Sequence, residues 1–461
     1  MQAPLYQPDD TIVAPLSPAG QGAVCLVRVS GPLSKVVVSH LTQKPLHAAP
    51  WPARMVRLVA LWDGDALLDR ALVTTFDAPA SYTGEDCAEW GLHASPYVVN
   101  RFLTLCTSLQ GVRMAQPGEF TWRAFTNGKM DLSRAEAVAD LIAAENPLAH
   151  RLAMNQLEGG FERKIAALRE RMTEFAALLE LELDFSLEDV EFADRTSLLN
   201  LVLSVHAQVV SLKDSFAAGE VIRKGVPTVL AGRPNAGKSS LLNALLQDAR
   251  ALVSDQPGTT RDTIEEPCVI EGITFRLMDT AGLRESNDAV EQMGVARTHQ
   301  KLIHAGLVLM VASIDEYPEE AWMNLLNLAG AQSKVLVVLN KVDLPAESGH
   351  RSEWLQRFPD LVEISAQTGQ GMEVLRQRML DMVDLGRLAG DFVAVNVRQR
   401  ESLDQAAAAL QRIVNGLQQN LGTELLAEEM RTVLRSLAEL TGDIAADDLL
   451  GAIFSKFCIG K

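Results

Sequence analysis

The sequence predicts a multidomain protein of α/β and all-α parts: an α+β domain first, then a helical domain with an α/β domain inserted into it. Three observations predict this. A length of 461 residues is enough for roughly three domains. The apolar pattern turns from mixed to helical near residue 129, to alternating strand and helix signals near 223, and back to helical near 384. The alternating stretch also carries a Gly-bounded loop between a strand-like run and a helix-like run. The boundaries read as 1–128, 129–222, 223–383 and 384–461.

In 1–128, Thr11-Ile12-Val13-Ala14 and residues 23–29 are β-rich runs separated by Ser17-Pro18-Ala19-Gly20. Residues 55–62 and 69–76 flank Asp63-Gly64-Asp65, a hairpin signal, and 97–109 read as a helix. Arg28 falls between Val27 and Val29. Its head either snorkels to solvent or points alone into a pocket.

From 129 to 222 the stripe Ala135, Val138, Ala139, Leu141, Ile142 continues from Leu152 through Leu179 at spacings near three and four, which is bundle packing. Residues 187–192 (LEDVEF) are an acidic break, and 198–216 form another helix. Residues 226–231, 268–270, 274–279, 307–311, 335–340 and 362–365 read as strands of a parallel sheet covered on both faces. From Arg398 to Ile453 the pattern is helical, so the α/β domain is flanked by two halves of one helical domain.

Composition excludes several classes. A formal net charge of −17 argues against a broad sequence-independent nucleic-acid surface. The five cysteines, Cys25, Cys87, Cys106, Cys268 and Cys458, contain no CxxC pair, so neither a disulfide framework nor a zinc site is indicated, and a reducing, cytoplasmic setting fits. No apolar run reaches spanning length, and the start MQAPLYQPDD lacks a basic region followed by an apolar core.

The chemistry concentrates in VPTVLAGRPNAGKSS, residues 226–240. Residues 232–239 fit G-x-x-x-x-G-K-[ST], the phosphate-binding loop. Asn235, Ala236, Gly237, Lys238, Ser239 and Ser240 would wrap the phosphates at a helix N-terminus, with Lys238 on the β/γ-phosphates and the Ser239 hydroxyl on Mg²⁺. Thr259 and Thr260 lie in a Gly-Thr-Thr-Arg-Asp loop suited to a second hydroxyl on Mg²⁺. In Asp279-Thr280-Ala281-Gly282, Asp279 reaches the metal through water and the Gly282 N–H approaches the γ-phosphate. In Asn340-Lys341-Val342-Asp343, the carboxylate accepts from guanine N1 and N2 but faces the wrong edge of adenine. Ser365 and Ala366 close the base pocket. All five pieces in order resemble the translation-factor-related branch of GTPases.

Leu283 stands where Ras-like switches keep a water-orienting Gln, so another group must do that work; Arg284, Glu285 and Glu291 are near in sequence. Asn235 is either a turn-stabilising amide or a ligand for a monovalent cation between the phosphates.

The flanks narrow the resemblance. Pro117-Gly118-Glu119-Phe120-Thr121-Trp122-Arg123-Ala124-Phe125-Thr126-Asn127-Gly128-Lys129-Met130-Asp131-Leu132, followed by Ala135-Glu136-Ala137, resembles the PGEFxxRAFxNxKxDLxxAEA signature of the MnmE (TrmE) tRNA-modification GTPases. So do Asp10-Thr11-Ile12-Val13-Ala14, Ser81-Tyr82-Thr83-Gly84-Glu85-Asp86 and Phe457-Cys458-Ile459-Gly460-Lys461, so the likeness spans the chain. It implies an N-terminal α+β folate-binding and dimerisation domain and a helical domain with an inserted P-loop Ras-like G domain. It implies a tetrahydrofolate one-carbon derivative held at Arg28, Glu89 and Lys129, K⁺ held by Asn235, Ser254, Gln256 and Thr259, and Mg²⁺ held by Ser239 and Thr260. Glu291 matches the carboxylate that orients the attacking water. The resemblance further implies a homodimer that joins the flavoprotein MnmG (GidA), in a heterotetramer or larger assembly, to place a carboxymethylaminomethyl-type group at C5 of the wobble uridine of certain tRNAs. The carbon comes from methylene-tetrahydrofolate, GTP hydrolysis drives conformational cycling, and the partner carries most of the tRNA contact.

Cys458 in the tail is read two ways, as a packed residue or as a nucleophile activated by Lys456 and Lys461. One departure is His93-Ala94-Ser95, where the family has a Gly-rich HGG. Two other classes share parts of this pattern. A ribosome-assembly or RNA-chaperone GTPase switch would carry a basic KH-like module, and a membrane-linked signalling GTPase would carry a basic amphipathic or lipidated segment. Neither appears in the sequence.

Overall fold

The computed structural model describes residues 10–44, 52–184, 195–249, 265–279, 305–316, 334–345, 350–383, 395–444, 447–455, 457 and 460. The chain divides into two compact units, one of residues 1–142, 155–207 and 401–461, the other of residues 143–154 and 208–400.

The first unit opens with a six-stranded sheet in the order β3-β4-β5-β2-β1-β6, built from β1 (Thr11–Pro15), β2 (Val24–Ser30), β3 (Arg57–Asp63), β4 (Ala66–Phe76), β5 (Cys87–His93) and β6 (Val112–Met114). The hairpin expected around Gly64 is β3 and β4, paired antiparallel. Alternation in β2 sends Cys25, Val27 and Val29 to one face. There they meet Val37, Val38 and Leu41 of α1 (Ser34–Thr42) and Phe102 and Cys106 of α2 (Pro96–Thr107), with Phe102 edge-on to Trp90 at 5.2 Å.

The motif Pro117-Gly118-Glu119 turns into α3 (Glu119–Thr126). Gly118 has φ +73°, and a Cβ there would stand 2.2 Å from the Phe454 carbonyl oxygen, so only glycine lets α3 start against the helix Asp447–Phe454. The helical part of this unit pairs α6 (Gly160–Asp184) with the helix Thr423–Thr441; Arg431 binds Glu180 at 2.7 Å, and Arg169 pairs with Asp443.

The first turns of α4 (Leu132–Ile142) and α6 are also tied. Asp131 Oδ1 accepts the Arg134 N–H at 2.9 Å, and Arg134 Nη2 reaches Glu162 at 2.5 Å. Burial pushes the Asp131 carboxyl up to about 6; the Arg134 N–H pulls it down, the neighbouring Glu162 pushes it up, and the Arg134 charge pulls it down. A carboxyl raised in the folded state binds more protons than in the unfolded chain, so stability falls as pH rises from near 4 through about 6. Asp131→Asn keeps the capping oxygen and removes the charge. Its melting temperature relative to the native protein is expected to climb across that window. A gap that stays constant between about pH 4.5 and 7 would contradict the assignment.

The second unit holds the sheet β12-β11-β10-β7-β9-β8, from β7 (Val226–Ala231), β8 (Glu266–Ile270), β9 (Ile273–Asp279), β10 (Leu307–Ser313), β11 (Lys334–Asn340) and β12 (Val362–Glu363). Strands β7, β9, β10, β11 and β12 are parallel, as the alternating signals predict. The expectation of a wholly parallel sheet needs one correction, because β8 runs antiparallel to β9 at the edge. The two are joined by Glu271-Gly272, both with positive φ, and two residues leave no room for a crossover helix. One face packs under α8 (Lys238–Ala249) and the helix Met372–Met382, the other against Trp354.

Candidate functional site

β7, β10 and β11 are adjacent and parallel, so their carboxyl ends bring three loops to one edge of the sheet. The first is the loop 232–237 after β7. Asn235 sits there with φ +64° and Gly237 with φ +92°, so successive N–H groups turn inward before α8 begins. A Cβ on Gly237 would stand 2.2 Å from Asn340 Nδ2. Glycine therefore serves both the backbone turn and the close approach of β11.

Asn340, the last residue of β11, ties the phosphate loop to the segment after β12. Its Nδ2 donates to the Ala236 carbonyl at 3.0 Å, and its Oδ1 accepts the Ala366 N–H at 3.0 Å. Ser365 is fully buried, and its Oγ accepts the Thr368 N–H at 3.1 Å. Lys341 has φ +66°, and Asp343 is exposed in the turn that follows. Lys238, mostly buried, donates through Nζ to the Gly232 and Arg233 carbonyls at 2.9 and 2.7 Å, which holds the loop curled. Asn235, Ser239 and Ser240 are exposed at its mouth.

The structure thus brings together Asn235, Ala236, Gly237, Lys238, Ser239, Ser240, Asn340, Lys341, Asp343, Ser365 and Ala366. Asp279 closes β9, which neighbours β7. Ser254, Gln256, Thr259, Thr260, Thr280, Ala281, Gly282, Glu291 and Cys458 lie outside the described residues.

In the first unit, Arg28 and Glu89 sit directly opposite each other on β2 and β5. Arg28 Nε and Nη2 donate to Glu89 Oε1 at 3.0 and 2.8 Å. Its guanidinium lies 4.5 Å from the centre of the Tyr82 ring and 5.4 Å from that of Phe120. Of the two readings of this arginine, neither holds: it is 12% exposed, neither snorkelling nor alone. Lys129 donates to the Pro79 carbonyl at 2.9 Å, and its stem lies beside Gly84. The segment 79–84 therefore carries Tyr82 to Arg28 and meets Lys129. Sequence reasoning gave Tyr82 no part in holding Arg28, because a contact between a loop and a strand over fifty residues apart leaves no local period.

Two family models match the chain. Residues 11–129 match the GTP-binding protein TrmE N-terminus, and residues 132–458 match the MnmE helical domain. The tRNA modification GTPase MnmE of Cytophaga hutchinsonii is 44% identical over 454 residues, 98% of this chain and 98% of that protein. The chain belongs to the MnmE family. A second MnmE, the tRNA modification GTPase of Christiangramia forsetii, is 41% identical over 473 residues, 98% of this chain and 99% of its own. Among solved structures, the G domain of the T. maritima FeoB iron transporter is 27% identical, covering 34% of this chain and 99% of that one, with a TM-score of 0.25. The phosphate-loop sequence on a mostly parallel sheet, in a chain whose relatives are named tRNA modification GTPases, makes the inserted α/β domain of this MnmE family member a G domain.

Proposed function

We propose that this tRNA modification GTPase depends on K⁺ and, with a flavoprotein partner of the MnmG kind, adds a carboxymethylaminomethyl-type group to C5 of the wobble uridine of certain tRNAs. What carries the reading is whole-length likeness to proteins named tRNA modification GTPase MnmE, 44% identical across 98% of both chains. In this reading GTP hydrolysis drives conformational cycling of a homodimer rather than bond formation at the base. No helix among the described residues is long and apolar enough to cross a membrane.

The chain's own residues divide the work. The curled loop with its glycine cradle fits a phosphate chain, and Lys238 leaves its two carbonyl partners for the β/γ-phosphates. Ser239 and Thr260 would hold Mg²⁺, which would supply charge neutralisation to the phosphates. Asn235 offers its amide oxygen to K⁺, with Ser254, Gln256 and Thr259 completing that set. Gly282 would offer its N–H to the γ-phosphate, and Glu291 would orient the attacking water where Leu283 cannot. The left-handed backbone at Asn235 supports the K⁺ assignment, since Asn235 is exposed in the phosphate loop. Asn340, Lys341, Asp343, Ser365 and Ala366 hold guanine. In the N-terminal domain, the Arg28–Glu89 pair and Lys129 offer two cations and a carboxylate, which suit a folate with its pterin ring and glutamate tail.

GTP turnover in K⁺ against Na⁺ at equal ionic strength tests the cation. Turnover is expected to be at least about tenfold faster in K⁺, and Asn235→Ala is expected to remove most of that difference. Equal rates in the two salts would refute K⁺ dependence.

A further inference from the structure

The loop that follows β10 forms one wall of the nucleotide site, and it carries a carboxylate that the mechanism above does not use. A Cβ on Gly232 would stand 2.1 Å from the Val311 carbonyl oxygen, so the phosphate loop and the end of β10 touch backbone to backbone. Beyond Ser313 the chain turns: Ile314 N–H donates to the Asn340 carbonyl at 3.0 Å and Glu316 N–H to the Ser313 carbonyl at 2.9 Å. Trp354 Nε1 donates to the Glu316 carbonyl at 2.7 Å, and Trp354 itself is fully buried. These three bonds fix the turn through the backbone, so it does not depend on the Glu316 side chain.

That side chain is partly buried, and its Oε2 is shielded from solvent with no hydrogen-bond partner among the described residues. The charges that act on it are those of Arg233 and Lys238 of the phosphate loop, Lys341 of the base-reading loop, and Asp315 beside it. Burial pushes the carboxyl above its ordinary value, Arg233 pulls it back, Asp315 pushes it up again, and Lys341 and Lys238 pull it down. One of these cations, Lys238, is the one given above to the β/γ-phosphates, and Arg233 belongs to the same loop.

We propose that Glu316 is a specificity-determining residue of the nucleotide site, whose carboxylate balances the phosphate-loop cations when the site is empty and opposes guanosine di- and triphosphates when they enter. The inference rests on the reading of this edge as a nucleotide site. Like charges in a partly desolvated cleft repel more strongly than in bulk water, and the repulsion grows with each phosphate. Glu316 therefore weakens retention of the product diphosphate and favours its release.

Equilibrium binding of guanosine, GMP, GDP and a non-hydrolysable GTP analogue to the full chain tests this, with Glu316→Gln and Glu316→Asp alongside. Glu316→Gln is expected to bind GDP about three- to tenfold tighter and the triphosphate tighter still, with guanosine unchanged. The gain should shrink at about 0.5 M salt, and Glu316→Asp should behave like the native chain. Equal or weaker GDP binding, or the same gain for guanosine as for GDP, would overturn the inference while leaving the nucleotide site intact. A native chain that binds none of the four ligands would overturn the site reading and this inference with it.

Discussion

Asp343→Asn is expected to cost this protein its preference for guanine: GTP affinity should fall by about a hundredfold or more, and xanthosine triphosphate should bind in its place. Asp343 lies in a turn whose backbone is fixed independently of its side chain. Val342 N–H donates to the Ile364 carbonyl at 3.2 Å and Leu344 N–H to the Lys341 carbonyl at 3.0 Å. In the proposed reading the carboxylate presents two acceptors to a base edge that presents two donors, N1–H and the 2-amino group. Asparagine keeps one acceptor but sets an N–H₂ against the 2-amino group, so two donors meet and neither is satisfied. Xanthine has a carbonyl at that position, which accepts what asparagine donates. Competition binding with GTP and xanthosine triphosphate reads the exchange directly. An Asp343→Asn protein that keeps full GTP affinity would show that this loop does not read the base.

The G domain was legible because its chemistry is local. The phosphate loop lies within eight consecutive residues between a strand and a helix, and each other motif is a short run, most at a strand end. What was missed depends on pairing across distance. The edge strand β8 looked like its neighbours, because an antiparallel edge strand and a parallel one have the same apolar content. Placing β5 beside β2 sets Glu89 opposite Arg28, sixty-one residues away, and no periodicity encodes that. Glu316 carries no motif at all and gains meaning only when β10 is seen between β7 and β11. The signature residues were legible as a resemblance but not as physics: Glu119 and Arg123 are buried, one turn apart on α3, in an ion-pair network.

That network makes Arg123 the residue whose loss should most disturb the N-terminal fold. Arg123 is 1% exposed and Glu119 is 0% exposed. Arg123 Nη1 donates to the Asp10 carbonyl at 2.8 Å and to Glu85 Oε1 at 3.1 Å, while Nη2 donates to Asp10 Oδ1 at 2.6 Å and Glu119 Oε1 at 3.1 Å. Arg113 supplies the second cation, binding Glu119 at 2.5 Å and Asp10 at 2.6 Å, and the Glu119 hydrogen bond raises its own pKa further. Two guanidiniums thus face three carboxylates, with Ser30 adding a hydrogen bond to Glu85 at 2.6 Å. Arg123→Ala leaves one cation for three carboxylates, of which Glu119 has no access to water, and it removes the bonds from α3 to Asp10. Breaking such a buried set from one side is expected to cost about 3–5 kcal/mol, far more than the net worth of the intact network. Amide hydrogen exchange in β1 and α3, which reports this region apart from the G domain, should then accelerate by about a hundredfold or more. Glu119→Gln in the same background removes one stranded charge and should recover part of the loss, which a packing defect at Arg123 alone would not allow. Unchanged exchange in Arg123→Ala would mean that water or side-chain rearrangement satisfies the three carboxylates, and the network would then be a consequence of the fold and not one of its supports.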